Sequence, residues 1–282
     1  MSKFRFRKRK IRKPIPREIP FRSMVPNLVT FMAAASGVTS IRFSSCGEWK
    51  KAVVFIFLAC LFDGLDGRVA RMLKATSKLG AELDSLSDFV SFGVAPGILV
   101  YFWLMRTVTE TSAYYPYRGC FWAFALFFAM CCAFRLARFN IMLEMPTQPY
   151  WKHFFMGLPA PGGAALAILP IVWQFSSHTD AIQNPLVGSV SLIVCGMLMA
   201  CRIPTLSAKH LRVPARFLLP VLLAVMFLIG MLVAQFWQTM TVLGVLYYIS
   251  VPICAAVYLR AKGAYLRGQG GDQAHPAGGE AK

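Results

Sequence analysis

Charged residues are scarce in this 282-residue chain, at 15% of the total, while 57% is hydrophobic. An ordinary soluble domain carries about 25% charged residues. The apolar excess gathers in long runs, so a soluble globular protein is excluded and an integral membrane protein is indicated. Paired cysteine spacing is also missing. The eight cysteines lie mostly inside apolar segments with no CxxC, and the four histidines are scattered. A zinc cluster and a disulfide framework are therefore not expected. The apolar runs lack the period-two alternation of an outer-membrane barrel. Acidic residues are few as well, 12 against 30 Lys and Arg, for a net charge of +18.

That charge is unevenly placed. Residues 1–22, "MSKFRFRKRKIRKPIPREIPFR", hold ten Lys/Arg and one Glu directly before the first apolar run. A basic cluster in that position reads as a contact with anionic lipid headgroups and as an orientation signal, not as a nucleic-acid site. Pro14, Pro16 and Pro20 oppose a long helix there. Pro26, Asn27 and Thr30 interrupt the apolar stretch that follows, against a cleavable leader.

Apolar runs bounded by charge or Pro/Gly clusters predict about eight transmembrane helices, near 25–42, 50–66, 85–105, 119–138, 158–176, 186–203, 216–235 and 239–259. Backbone amides in lipid need internal partners, so the expected fold is an all-α polytopic membrane bundle. With the N-terminus inside, 25 of the 30 Lys/Arg fall on the cytoplasmic side. The chain then divides into a basic juxtamembrane segment (1–24), a transmembrane domain (25–259) and a disordered cytoplasmic tail (260–282).

Against this background, residues 63–88, "DGLDGRVARMLKATSKLGAELDSLSD", hold four aspartates between two membrane segments. Asp63 and Asp66 are three apart and Asp84 and Asp88 four apart, so each pair projects from one face of its helix. Four like charges at facing helix ends repel unless cations lie between them. Ionised groups at membrane depth are costly and point to function. Carboxylate oxygens suit Mg²⁺ or Mn²⁺, ions that commonly engage substrate phosphates. Metal on a phosphate suggests phosphoryl transfer, with a spare carboxylate as base.

The pattern Asp63-x2-Asp66-Gly67-x2-Ala70-Arg71-x8-Gly80-x3-Asp84-x3-Asp88 resembles the signature of the CDP-alcohol phosphatidyltransferases, with eight fixed positions over 26 residues. The resemblance implies a helical membrane fold that transfers a phosphatidyl or similar group from a CDP-linked donor to an alcohol, releasing CMP. It implies two divalent cations, one held by Asp63, Asp66 and Asp84 and the second by Asp63, Asp84 and Asp88, with Asp88 also the general base. Gly67, Arg71 and Ser77 then fall where the family contacts the CDP moiety, and a homodimer is implied.

Looser stretches resemble the integral-membrane phosphatidylserine synthases of bacteria within that family: "VPNLVTFMAAASG" (25–37), "FRLARFN" (134–140), "GLPAPGGAA" (157–165) and "RIPTLSAKHLRVP" (202–214). By that resemblance Asn27 and Thr30 contact CDP-diacylglycerol, although Ala33 stands where many relatives carry Asn. Arg135, Arg138 and Asn140 are candidate contacts for the acceptor, L-serine, whose carboxylate suits an arginine fork. The implied setting is the bacterial inner membrane, with the active site facing the cytoplasm. Another acceptor (glycerol 3-phosphate, an inositol phosphate or choline) would keep the chemistry. A cation transporter would place its acidic residues near the bilayer midplane instead.

Overall fold

A computed structural model of the protein describes residues 21–74, 77–143, 154–156, 158–177, 183–201, 204–206 and 217–272. Most of the basic N-terminal segment, most of the 202–214 stretch and residues 273–282 lie outside these. The described chain is a bundle of helices: α1 (Phe21–Ser45), α2 (Trp49–Met72), α3 (Lys78–Asp88), α4 (Ala95–Met105), α5 (Arg118–Leu143), α6 (Ala160–Ala167), α7 (Leu169–Ser177), α8 (Pro185–Ala200), α9 (Leu218–Ala234) and α10 (Phe236–Asp272). Four helical stretches are long and apolar enough to cross a membrane: Met24–Ser45, Lys78–Met105, Tyr115–Met142 and Phe236–Cys254. Pro185–Ala200 and Leu218–Ala234 are shorter apolar helices.

The buried face of α1 is built on small residues. Along α1 the buried positions Pro26, Thr30, Ala33, Gly37, Ser40 and Ser44 recur at alternating spacings of four and three. This is the stripe that lets helix backbones approach closely in lipid. A methyl at Gly37 would come 2.7 Å from Ser91 Cα. The facing stripe on α2 is Ala52, Ile56 and Ala59, all fully buried, and Asp63 and Asp66 continue it at the same spacing. Ser40 Oγ donates to Ala52 O at 2.8 Å, pinning α1 to α2. The aspartates are thus an extension of a buried helix face.

Two helices depart from regular geometry at prolines. Between α3 and α4, residues Phe89–Val94 form a π-helical turn, and the Ala95 N–H reaches back five residues to Val90 O. Pro96 follows directly; it has no N–H to give, and its ring would crowd the carbonyl four residues earlier, so the widened turn absorbs the misfit. The result is one column from Lys78 to Met105, where the sequence predicts a span over 85–105. The fifth predicted span, 158–176, is divided at Ile168 into α6 and α7. Pro170 again withholds a donor, and Ser191 Oγ on α8 donates to the freed carbonyls of Leu166 and Ala167 at 3.2 and 3.1 Å.

Two further features differ from expectation. The all-helical bundle carries a two-stranded antiparallel ladder, β1 (Phe154–Met156) with β2 (Pro204–Leu206), which sets Phe155 opposite Thr205. These strands follow the C-termini of α5 and α8, which pack against each other, so the two connections emerge side by side. The helix α10 runs on to Asp272, through the segment read as a disordered tail from 260. "AAVYLRAKGAYLR" is rich in good helix formers and contains no proline, which permits that continuation.

Candidate active site

The end of α2 and the start of α3 face each other across a short reversal. The helix α2 stops near Lys74, a non-glycine residue with φ +50°. Ser77 then caps α3, its Oγ accepting from the Gly80 N–H at 2.9 Å. This turn aims α3 back along α2, so that Asp63, Asp66 and Asp84 each offer a carboxylate oxygen within 4.8 Å of the others. The carboxyl groups of Asp63 and Asp88 also lie within hydrogen-bonding reach, as do those of Asp66 and Asp84. Asp66 is buried at 6% exposure, and the other three are half-buried.

Among the described residues, no salt bridge joins any of these aspartates to a lysine or arginine; the ion pair there is Lys51–Glu48, elsewhere on α2. The Arg135 guanidinium lies within electrostatic range of Asp63 and Asp88, but no direct ion pair offsets the repulsion between the carboxylates. A convergent set of hard oxygen donors without a paired cation is the chemistry a divalent metal ion fits. The cluster can bind such an ion.

Helix α1 closes the site from the side. Thr30 Oγ1 donates to Asp66 Oδ2 at 2.9 Å, and Ser87 Oγ donates to Thr30 O at 3.0 Å. Ser91 Oγ donates to Ala33 O at 3.1 Å. Through Thr30, three helices are tied at one carboxylate. A cleft of about 160 Å³ opens beside it, lined among others by Asn27, Thr30, Asp66, Gly67, Ser77 and Asp84. At Gly67 a methyl would meet nothing within 4 Å, so the backbone is open to a ligand. At Gly80 a methyl would lie 3.1 Å from both Asn27 Oδ1 and Ser77 Oγ, so its absence lets α3 close on α1. Arg71 does not line the cleft; its Nε donates to Gly67 O at 2.8 Å from an exposed position.

The residues proposed from 134–140 fall into three distinct settings. Arg135 lies within electrostatic range of Asp88 and Asp63, and its Nε is buried with no hydrogen-bond partner. Arg138 is engaged: Nη1 donates to Ala200 O at 2.8 Å and Nη2 to Cys201 O at 3.3 Å, where a cation complements the end of α8. Asn140 Nδ2 donates to Ser85 Oγ at 2.9 Å, bracing α5 against α3 beside Asp84. Ser85, Ser87 and Ser91 are not among the site residues to which the sequence points. Their spacing with Gly37 and Ala33 across two helices is a small-residue signal that becomes legible only once the pairing of α1 with α3 is known.

Residues 23–205 match the family model of the CDP-alcohol phosphatidyltransferases. The chain belongs to the CDP-alcohol phosphatidyltransferase family. Among curated proteins it is similar to the CDP-diacylglycerol–serine O-phosphatidyltransferase of Mycobacterium leprae, 40% identical over 157 residues, which is 55% of this chain and 49% of that protein. The proteins of the same name from Helicobacter pylori and Methanocaldococcus jannaschii are 32% identical over 180 residues and 34% over 175. Those matches cover 64% and 62% of this chain and 70% of each relative. The chain spans about half the length of the mycobacterial relatives it matches. Membership in this family makes the bundle a helical membrane fold and the aspartate cluster a site compatible with divalent metal.

Proposed function

We propose that the protein transfers the phosphatidyl group of CDP-diacylglycerol to L-serine, forming phosphatidylserine and CMP. The observation that carries this reading is the convergence of Asp63, Asp66 and Asp84, with Asp88 against Asp63 and Arg135, whose Nε has no partner, within electrostatic range of Asp88. The name that these relatives share supports serine as the acceptor.

In the proposed reaction the Asp88 carboxylate takes the proton of the serine hydroxyl. The serine Oγ forms a bond to the β-phosphorus of CDP-diacylglycerol as the bond from that phosphorus to the bridging oxygen breaks. CMP leaves with the electron pair, and the phosphatidyl group stays in the membrane on serine. Two divalent cations, Mg²⁺ or Mn²⁺, would offset the diphosphate charge and stabilise the leaving group when bound. We assign Asp63, Asp66 and Asp84 to one and Asp63, Asp84 and Asp88 to the other. Asn27, Thr30, Gly67 and Ser77 line the cleft beside these carboxylates, where they would hold the CDP moiety, and Arg71 would reach its phosphates from the rim. Arg135 would face the acceptor carboxylate, with Arg138 and Asn140 bracing its helix.

The proposed setting is the bacterial inner membrane, with residues 25–259 as the catalytic domain and the active site on the cytoplasmic side, where most Lys and Arg fall. The basic segment 1–24 would lie on anionic headgroups, and the protein would act as a homodimer, a reading the family resemblance supports. The test is product analysis with purified protein, CDP-diacylglycerol, metal, and serine, glycerol 3-phosphate, an inositol phosphate or choline in turn. Phosphatidylserine and CMP formed in equal amounts only with serine is the expected result. Product with a different acceptor alone would refute serine while leaving the transfer chemistry.

A further inference from the structure

Helix α10, distant in sequence from the aspartates, brings a phenol to the same region. Tyr247 is half-buried and lies within electrostatic range of Arg135. It reaches this place because α6 carries Gly162: a methyl there would come 2.6 Å from the Tyr247 hydroxyl oxygen and 3.0 Å from Cε1. The neighbouring Gly163 makes the same kind of room for Met199 of α8. The two glycines of "GLPAPGGAA" thus let two other helices close on the start of α6.

We infer that Tyr247 and Arg135 form the carboxylate-binding wall of the acceptor pocket, an inference that rests on the serine reading above. Two observations support it independently. Arg135 Nε is a buried donor without a partner, and such groups in folded proteins are nearly always satisfied by protein, water or ligand. Among the described residues, no protein group forms a hydrogen bond with the Tyr247 hydroxyl either, although partly buried phenols usually find one. A guanidinium and a phenol O–H within electrostatic range of each other supply donors suited to the two oxygens of one carboxylate. Asp88 lies within range of the same guanidinium. A small amino acid held by its carboxylate at Arg135 and Tyr247 would therefore extend its hydroxyl toward the base. Tyr247 would act on recognition of the acceptor and leave the phosphoryl chemistry to the aspartates.

The test is steady-state CMP release by the full-length wild type and Tyr247→Phe, varying serine and CDP-diacylglycerol separately, with serinol as an acceptor that lacks the carboxylate. Loss of a hydrogen bond to a charged group predicts a KM for serine raised by roughly 10- to 100-fold. The kcat and the KM for CDP-diacylglycerol should stay within about 2-fold, because the phenol touches neither the base nor the donor. The preference for serine over serinol should fall by the same factor as the KM rises. An unchanged KM for serine overturns the assignment. So does a joint loss of kcat and of both KM values, which would mark a packing role. Gly162→Ala, which displaces the hydroxyl without removing it, should reproduce the serine-specific defect. If the wild type itself shows no serine-dependent release, the serine reading fails first and the pocket falls with it; if the wild type uses serine and Tyr247→Phe is unaffected, only the pocket is overturned.

Discussion

Replacing Thr30 with valine removes one hydroxyl and keeps the outline of the side chain. In the wild type that hydroxyl donates to Asp66 Oδ2 at 2.9 Å, with the Pro26 carbonyl at 3.2 Å as the alternative acceptor in the same helix. Thr30 is 5% exposed and Asp66 6%, so bulk water cannot easily replace the lost donor. A hydrogen bond to a charged group contributes about 1.5–3 kcal/mol. Removing a partner that orients a metal-binding carboxylate typically weakens metal affinity by about 10- to 100-fold, which agrees with that energy. The expected outcome for Thr30→Val is a half-saturating Mg²⁺ or Mn²⁺ concentration raised by roughly 10- to 100-fold. Its kcat at saturating metal should remain within a few-fold of wild type. The assay is CMP release across a metal titration with both substrates saturating. An unchanged metal dependence would refute the argument that Thr30 acts by holding Asp66. A raised KM for CDP-diacylglycerol at unchanged metal dependence would leave Thr30 with its contact to the nucleotide alone.

Asp88→Asn should lower kcat by roughly 10²- to 10⁴-fold, the usual contribution of a general base, with thermal unfolding in detergent unchanged; near-normal turnover would remove Asp88 from that role. Gly37→Ala puts a methyl 2.7 Å from the Ser91 backbone, so overpacking of about 1–3 kcal/mol and a lower unfolding temperature are expected, and an unaltered temperature would contradict the close contact of α1 with the π-turn. Arg138→Ala should lower stability by about 0.5–2 kcal/mol through the exposed end of α8 while changing the KM for serine little, whereas Arg135→Ala should raise that KM strongly. Equal effects of the two on serine KM would overturn the separation between them.

Much of this organisation is legible without coordinates because it is local. Asp63 with Asp66 and Asp84 with Asp88 share faces by helical spacing alone, and the clusters of charge and proline mark where apolar helices begin and end. The Ser77–Gly80 cap and the small-residue stripe of α1 are likewise written in short segments. Other features depend on contacts between residues far apart in sequence. Ser87 reaches Thr30 across 57 residues and Ser191 reaches Leu166 across 25, and neither pairing follows from periodicity. Pro96 and Pro170 announce disturbed helices, yet whether a helix widens, as after Asp88, or divides, as at Ile168, depends on what receives the displaced carbonyls. Tyr247 is the extreme case. An aromatic in an apolar run reads as lipid-facing or core until Gly162 is placed against it and Arg135 within electrostatic range. Arg138 shows the converse, since its spacing from Arg135 suggests a common task and the C-terminus of α8 gives it a separate one.

The most direct test of the central claim is metal-dependent CMP release from CDP-diacylglycerol by purified wild-type protein with L-serine, beside Asp63→Asn and Asp84→Asn. Activity that vanishes on chelation, returns with Mg²⁺ or Mn²⁺, requires serine and is lost in both folded variants is the predicted result. Serine-dependent release that persists after chelation or in either variant would contradict the assignment of these aspartates as the metal-binding centre.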